Sequence, residues 1–191
     1  ITNSGYFQNY KHQLNKISKS TAAHSTLNID NTSVSKFTKQ TNGNSLVEGN
    51  FKILEKNLIH EKNKWNIFAS HDGYQKKYGI IHKRELEFYS NLNKLVGKDI
   101  LLFKKNLKSY CFEIRFHLYP TTKVTKTQNE KVILIETENS GWKFSCKDYK
   151  IDIETGLFFG KKNTFVENKN IFISGFTQKE DQTILWEICK I

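Results

Sequence analysis

Arginine is nearly missing from this chain, proline occurs once, cysteine three times and methionine not at all. Each shortage excludes something. Only Arg84 and Arg115 are arginines among the 30 basic residues, and the rest are lysines. The net charge of +11 invites a polyanion: nucleic acid, a membrane surface or an acidic polysaccharide. Nucleic-acid readers draw on the bidentate guanidinium, so the scarcity of Arg argues against that class. An AT-rich genome also yields Lys and Asn, so charge alone selects no partner. Cys111, Cys146 and Cys189 lie far apart, are odd in number and form no CxxC pair. They read as small core residues, not a disulfide framework or a zinc site. No apolar run approaches the roughly 20 residues that span a bilayer. Residues 1–10 lack the basic start and apolar run of a signal peptide. The lack of Met leads to the expectation of a processed product or an excised piece. Six histidines occur, with no HxH or HExxH pair, and neither a Gly-rich phosphate loop nor a Ser nucleophile elbow is visible.

What is present is alternation. Phe112, Ile114, Phe116 and Leu118 fall on one face of an extended run; Glu113, Arg115 and His117 fall on the other. Short runs of the same kind recur around Phe51–Glu55, Val132–Ile135, Trp142–Cys146, Ile151–Ile153, Ile171–Ile173 and Ile184–Ile188, bounded by Gly, Asn or charged turns. No helical period exceeds about two turns. The length suits one domain with a real core, here taken as residues 1–191. The expected class is all-β: an antiparallel two-sheet β-sandwich with Phe112, Ile114, Phe116, Leu118, Trp142, Phe144 and Trp186 inside. Residues 7–19 and 35–50, polar and poor in large apolar side chains, read as exposed loops.

One segment stands apart. In Ser20-Thr21-Ala22-Ala23-His24-Ser25-Thr26-Leu27, small residues crowd a lone histidine just before an alternating run. Such a surround suits an imidazole exposed in a cleft that a substrate must approach closely. It equally suits a buried histidine with a satisfied hydrogen bond.

Further strings follow in order: His71-Asp72-Gly73-Tyr74, Gly79-Ile80-Ile81-His82-Lys83-Arg84-Glu85-Leu86, Leu95-Val96-Gly97-Lys98-Asp99-Ile100-Leu101, Ile114-Arg115-Phe116-His117-Leu118-Tyr119-Pro120, Gly141-Trp142-Lys143-Phe144 and Ile184-Leu185-Trp186-Glu187-Ile188. Together with the His24 string, this series resembles the C-terminal β-sheet domain of the heparinase II/III-like family, over nearly the whole chain. The resemblance implies a polysaccharide lyase-like parent with an N-terminal (α/α) toroid and a C-terminal β-sandwich. The toroid, which is absent from these residues, would be the domain's partner and would carry further groups for catalysis. The implied chemistry is β-elimination from an acidic polysaccharide containing uronic acid. His24 would face the cleft as the catalytic group, with His71, Tyr74 and Arg84 as substrate-binding residues. The sandwich alone would have little or no activity. A structural zinc occurs in some members, held by a His two residues after the active-site His, an Asp and a later His. Thr26 stands at the first of these positions, His82 matches the later metal ligand, and no Asp between them is convincing. His117 reads as structural. Neither nucleic acid nor a membrane span is expected as a partner. The resemblance favours a periplasmic or secreted bacterial setting. The rival reading is a non-catalytic carbohydrate-binding sandwich, marked by a planar row of exposed aromatics. A basic nucleic-acid-binding β domain is a weaker rival.

Overall fold

The computed structural model describes residues 1–39, 45–49, 51–104 and 108–191. Fourteen strands are described: β1 Leu27–Ile29, β2 Lys36–Lys39, β3 Ser45–Glu48, β4 Ile53–Glu61, β5 Lys64–His71, β6 Ile80–Tyr89, β7 Lys94–Phe103, β8 Cys111–His117, β9 Lys123–Lys126, β10 Val132–Thr137, β11 Ser140–Cys146, β12 Ile151–Phe158, β13 Val166–Phe176 and β14 Gln182–Lys190. The longest described helix is the five-residue Gln13–Ile17. Among the described residues no helix is long and apolar enough to cross a membrane.

The strands form a four-stranded sheet, β1-β8-β13-β12, and an eight-stranded sheet, β4-β5-β6-β7-β14-β11-β10-β9. Their pairings are antiparallel. The two inner faces supply the core. Phe116 of the small sheet lies 4.8 Å from the Phe144 ring and 4.6 Å from the Trp186 ring of the large sheet, centroid to centroid. Phe112, Ile114, Ile171 and Ile173 line the rest of the small sheet, and Leu101, Ile133 and Ile184 the large one, all fully buried. Of the side chains expected inside, only Trp142 is partly open; it packs against the core edge while its indole N–H donates to Ser140 Oγ at 2.8 Å.

Two loop expectations are corrected. Within residues 7–19 a helix forms at Gln13–Ile17, and Phe7, Asn15 and Ser18 are buried. The Asn15 amide donates to the Phe7 carbonyl at 2.6 Å, and Phe7 N–H donates to Ser18 Oγ at 3.1 Å. Buried polar side chains, partnered in this way, close a segment whose composition looks like loop. Of residues 35–50, β2 and β3 pair as a hairpin, and 40–44 and 50 lie outside the described residues.

The small sheet is half the width of the large one. Strands β4 and β5 and the far end of β6 therefore project as a wing. On the core-facing side, Leu58, Ile67, Trp65 and Phe88 remain 38–55% exposed. Register places Leu58 opposite Ile67 and Ile67 opposite Leu86, so one apolar stripe runs across three strands. The other side carries charges paired across strands, including Lys98–Glu85, Lys98–Glu87 and Lys64–Glu87.

Where the wing meets the core, Gly97 pairs with Trp186, and a Cβ at residue 97 would lie 2.1 Å from the indole. The absent side chain lets the ring lie across β7. Gly97→Ala is expected to cost about 1–3 kcal/mol through overpacking, measured by urea denaturation. Unchanged stability would show that the indole has another place to go.

Candidate functional site

The site is built around a carboxylate that composition hides. Asp99 sits in the middle of β7 on the core-facing side and is 0% exposed. Four N–H groups converge on it. His82 Nε2 and Arg84 Nε donate to Oδ1, each at 2.8 Å. Arg84 Nη2 and Trp186 Nε1 donate to Oδ2, each at 2.9 Å. Cross-strand register explains the meeting: Arg84 lies opposite Asp99, which lies opposite Ile184, two residues from Trp186. Both carboxylate oxygens are doubly satisfied, as a buried charge requires. Burial pushes the carboxyl upward, but the Arg84 charge and the His82 and Arg84 hydrogen bonds outweigh it. They hold Asp99 well below the ordinary carboxylate range.

The network continues outward along one direction. His82 Nδ1 lies 3.3 Å from His71 Nε2, and His71 Nδ1 accepts from Gly73 N–H at 3.2 Å. Gly73 can only donate. A neutral His71 therefore carries its proton on Nε2 and gives it toward His82 Nδ1, and His82 gives its own Nε2 proton to Asp99. Protonating His71 would set two donors against each other at Gly73. Burial, chiefly, and the neighbouring His82 lower the His71 pKa to about 4, against a small upward pull from Asp72. This value lies below the 6.5 of the unfolded chain, so the stability contribution is present above pH 6.5. It is lost as pH falls towards about 4. Up to about 3 kcal/mol is at stake, less the screening of a partly exposed ring. His71→Gln is expected to flatten the decline in unfolding free energy between these two pH values; an unchanged slope would refute the linkage. Asp99, held well below the ordinary carboxylate range, stays charged across that interval and does not compete for it.

Next to this network stands the His24 loop. Residues Thr21–Ala23 form a 3-10 turn ahead of β1, and His24 follows with extended backbone, φ −115° and ψ 152°. Its neighbours are tied down on every side. Arg84 Nη1 donates to the Ser25 carbonyl. Ser25 N–H donates to Asn3 Oδ1 at 3.1 Å, and Ser25 Oγ accepts from His117 N–H at 2.9 Å. His117 Nε2 donates to the Ala22 carbonyl at 2.9 Å, and Ser4 N–H donates to the Ala23 carbonyl at 3.0 Å. The small side chains of Ala22 and Ala23 let the N-terminal segment pass this closely. The His24 side chain is exposed and, among the described residues, makes no hydrogen bond.

The structure thus brings His71, His82 and Arg84 into one network and sets His24 beside it through Ser25. Tyr74, expected to bind substrate, is corrected. It is 0% exposed, its hydroxyl donates to the Leu27 carbonyl at 3.1 Å, and burial raises its pKa. It packs beneath His71, with ring centroids 5.7 Å apart, and has no surface to offer. His71 and Arg84 also spend their polar atoms on protein partners. His117 is buried at 3% exposure on the outer side of β8, in the structural setting expected of it. Sequence reasoning left Asp99 unassigned, and it placed Trp186 in the core without its bond to a carboxylate. The one signal for Asp99 is a charged residue on the inward register of a strand, between Gly97 and Leu101.

A zinc held by His82 does not fit this donor set. Each Asp99 oxygen already accepts two hydrogen bonds, and both ring nitrogens of His82 face partners. Thr26 offers no imidazole. Among the described residues no three His, Cys, Asp or Glu side chains converge as metal ligands would. The cation beside Asp99 is the Arg84 guanidinium.

The profile of the heparinase II/III-like C-terminal family matches residues 1–187. This chain belongs to that family. Its sandwich superposes on the heparan sulfate lyase HepC from Pedobacter heparinus with a TM-score of 0.73 at 10% identity, covering 93% of this chain and 25% of that one. A heparinase III gene product gives a TM-score of 0.74 at 14% identity, over 99% of this chain and 28% of that one. Another heparinase III structure gives 0.63 at 12% identity, over 91% and 24%. The chain therefore spans about a quarter of the length of these structures. No curated protein matches the sequence.

Proposed function

We propose that this family member is the β-sandwich part of a polysaccharide lyase that cleaves an acidic, uronic-acid-containing glycan by β-elimination. The observation that carries the reading is His24: an exposed, unpartnered imidazole on a loop whose flanking residues are all fixed. Elimination needs the uronate carboxylate neutralised, the C5 proton removed and the departing glycosidic oxygen protonated. An imidazole works near neutral pH either as a cation facing the carboxylate or as a proton shuttle. The remaining groups would come from an N-terminal (α/α) toroid of the same parent chain. The apolar stripe over Leu58, Ile67, Trp65 and Phe88 supports such a partner. It opens on the same side of the large sheet as Arg84, and water-exposed apolar surface of that kind marks a docking face.

The competing reading is a non-catalytic carbohydrate-binding sandwich. Trp65 and Phe88 favour it, because register sets them side by side on the open wing as stacking platforms. The test is to incubate the protein, expressed at its full natural length, with uronate-containing polysaccharides and with a neutral glycan. Lyase action predicts a rise in unsaturated-uronate absorbance with the former and none with the latter. Binding to the acidic glycans without any rise would replace the lyase with the binding module.

A further inference from the structure

We propose that Arg84 is the positioning residue for His24, tying the buried Asp99 to the Ser25 carbonyl and so fixing where the imidazole stands. The proposal rests on the reading of His24 as the proton-transfer group. The geometry that carries it is a single guanidinium used on three sides at once. Nε and Nη2 form a fork on Asp99, and Nη1 reaches the carbonyl of the residue that follows His24. Asp99 cannot move in response, because it is wholly buried and also held by His82 and Trp186.

The loop itself belongs to the small sheet, since β1 continues directly from it and Arg115 N–H donates to the Thr26 carbonyl at 3.3 Å. His117, also on the small sheet, grips the loop from the other side through Ala22 and Ser25. Arg84 is the contact from the large sheet. The position of His24 thus records the relation between the two sheets, and the residue that transmits it is Arg84. An arginine is required because a lysine ammonium is a point charge. It can neutralise Asp99 but cannot hold a planar fork and a third acceptor together. Displacing a reacting group by about 1 Å costs on the order of 10²-fold in rate, so a side chain without substrate contact can still govern turnover.

The experiment uses the full-length protein with Arg84→Lys, Arg84→Met, His24→Ala and the double variant Arg84→Lys/His24→Ala. Hydrogen exchange at the Ser25 and Thr26 amides is read first. In Arg84→Lys it should rise by about 10-fold or more, with β10 and β11 unchanged. Turnover on an acidic polysaccharide should fall by about 10- to 100-fold, with KM within about 2-fold. Added to His24→Ala, Arg84→Lys should cause almost no further loss. Should Arg84→Met fail to fold around an unpaired Asp99, Arg84→Met/Asp99→Leu removes both charges and supplies the same exchange readout. Unchanged exchange at Ser25 and Thr26 overturns the proposal, whatever His24 does. A raised KM at constant kcat overturns it in favour of direct substrate contact. Faster exchange with a fully active His24→Ala supports the positioning and removes the catalytic reading of His24, so the two failures are distinguishable.

Discussion

Asp99→Ala is expected to destabilise the fold by about 3–5 kcal/mol, the cost of removing one partner from a buried ion pair. For a chain of this size that corresponds to a fall in Tm of roughly 6–20 °C. The reason is what the substitution leaves behind. Four N–H donors, one on His82, two on Arg84 and one on Trp186, lose their acceptor inside the protein, and the Arg84 charge loses its counterion. The carboxylate's own depressed pKa points the same way. A group held charged in the fold contributes stability that is present above the ordinary carboxylate range and lost on acidification below it. Asp99→Asn should cost less, because it keeps the shape and one acceptor oxygen. Asp99→Leu/Arg84→Met should be milder than Asp99→Ala, since it leaves no unpaired charge. Urea denaturation gives the ranking. A loss below about 1 kcal/mol for Asp99→Ala would show that solvent reaches these donors.

Much of the fold is legible in the chain, and the reasons differ by element. Strand β8 announces itself because one side faces the core and the other carries Glu113, Arg115 and His117. Strands β5, β6 and β7 are harder to read as strands. On β6 and β7 the outer side carries Lys and Glu while the inner side holds His82, Arg84 and Asp99, so polarity fails to alternate. The helix at Gln13–Ile17 is invisible because it is held by Asn15 and Ser18, polar residues that a hydropathy pattern counts as surface. The His24 loop is legible from its small residues, which leave the imidazole exposed beside a closely passing N-terminal segment; its role is the proposal. Tyr74 is misread because a tyrosine after an Asp-Gly turn looks exposed, whereas here the chain turns back into the core. Asp99 escapes notice for a physical reason: its significance lies in four donors from the two neighbouring strands β6 and β14, and no local spacing encodes that meeting.

His24→Ala is expected to lower turnover on an acidic polysaccharide by about 10²-fold or more, the scale of losing a positioned proton-transfer group. Folding should be nearly unaffected. The imidazole is exposed and unpartnered, and the loop is held by Ala22, Ala23 and Ser25 instead. His117→Ala should show the opposite pattern. It removes the hydrogen bond to Ala22 and empties a buried site, so stability falls first. The pair separates the proposed reacting group from a structural one that grips the same loop from β8. The deciding measurement is the initial rate of unsaturated-uronate formation by the full-length His24→Ala protein, with its thermal unfolding recorded alongside. The account predicts a Tm within about 2 °C of the parent and a rate at least about 100-fold lower. Full activity at unchanged Tm would contradict it.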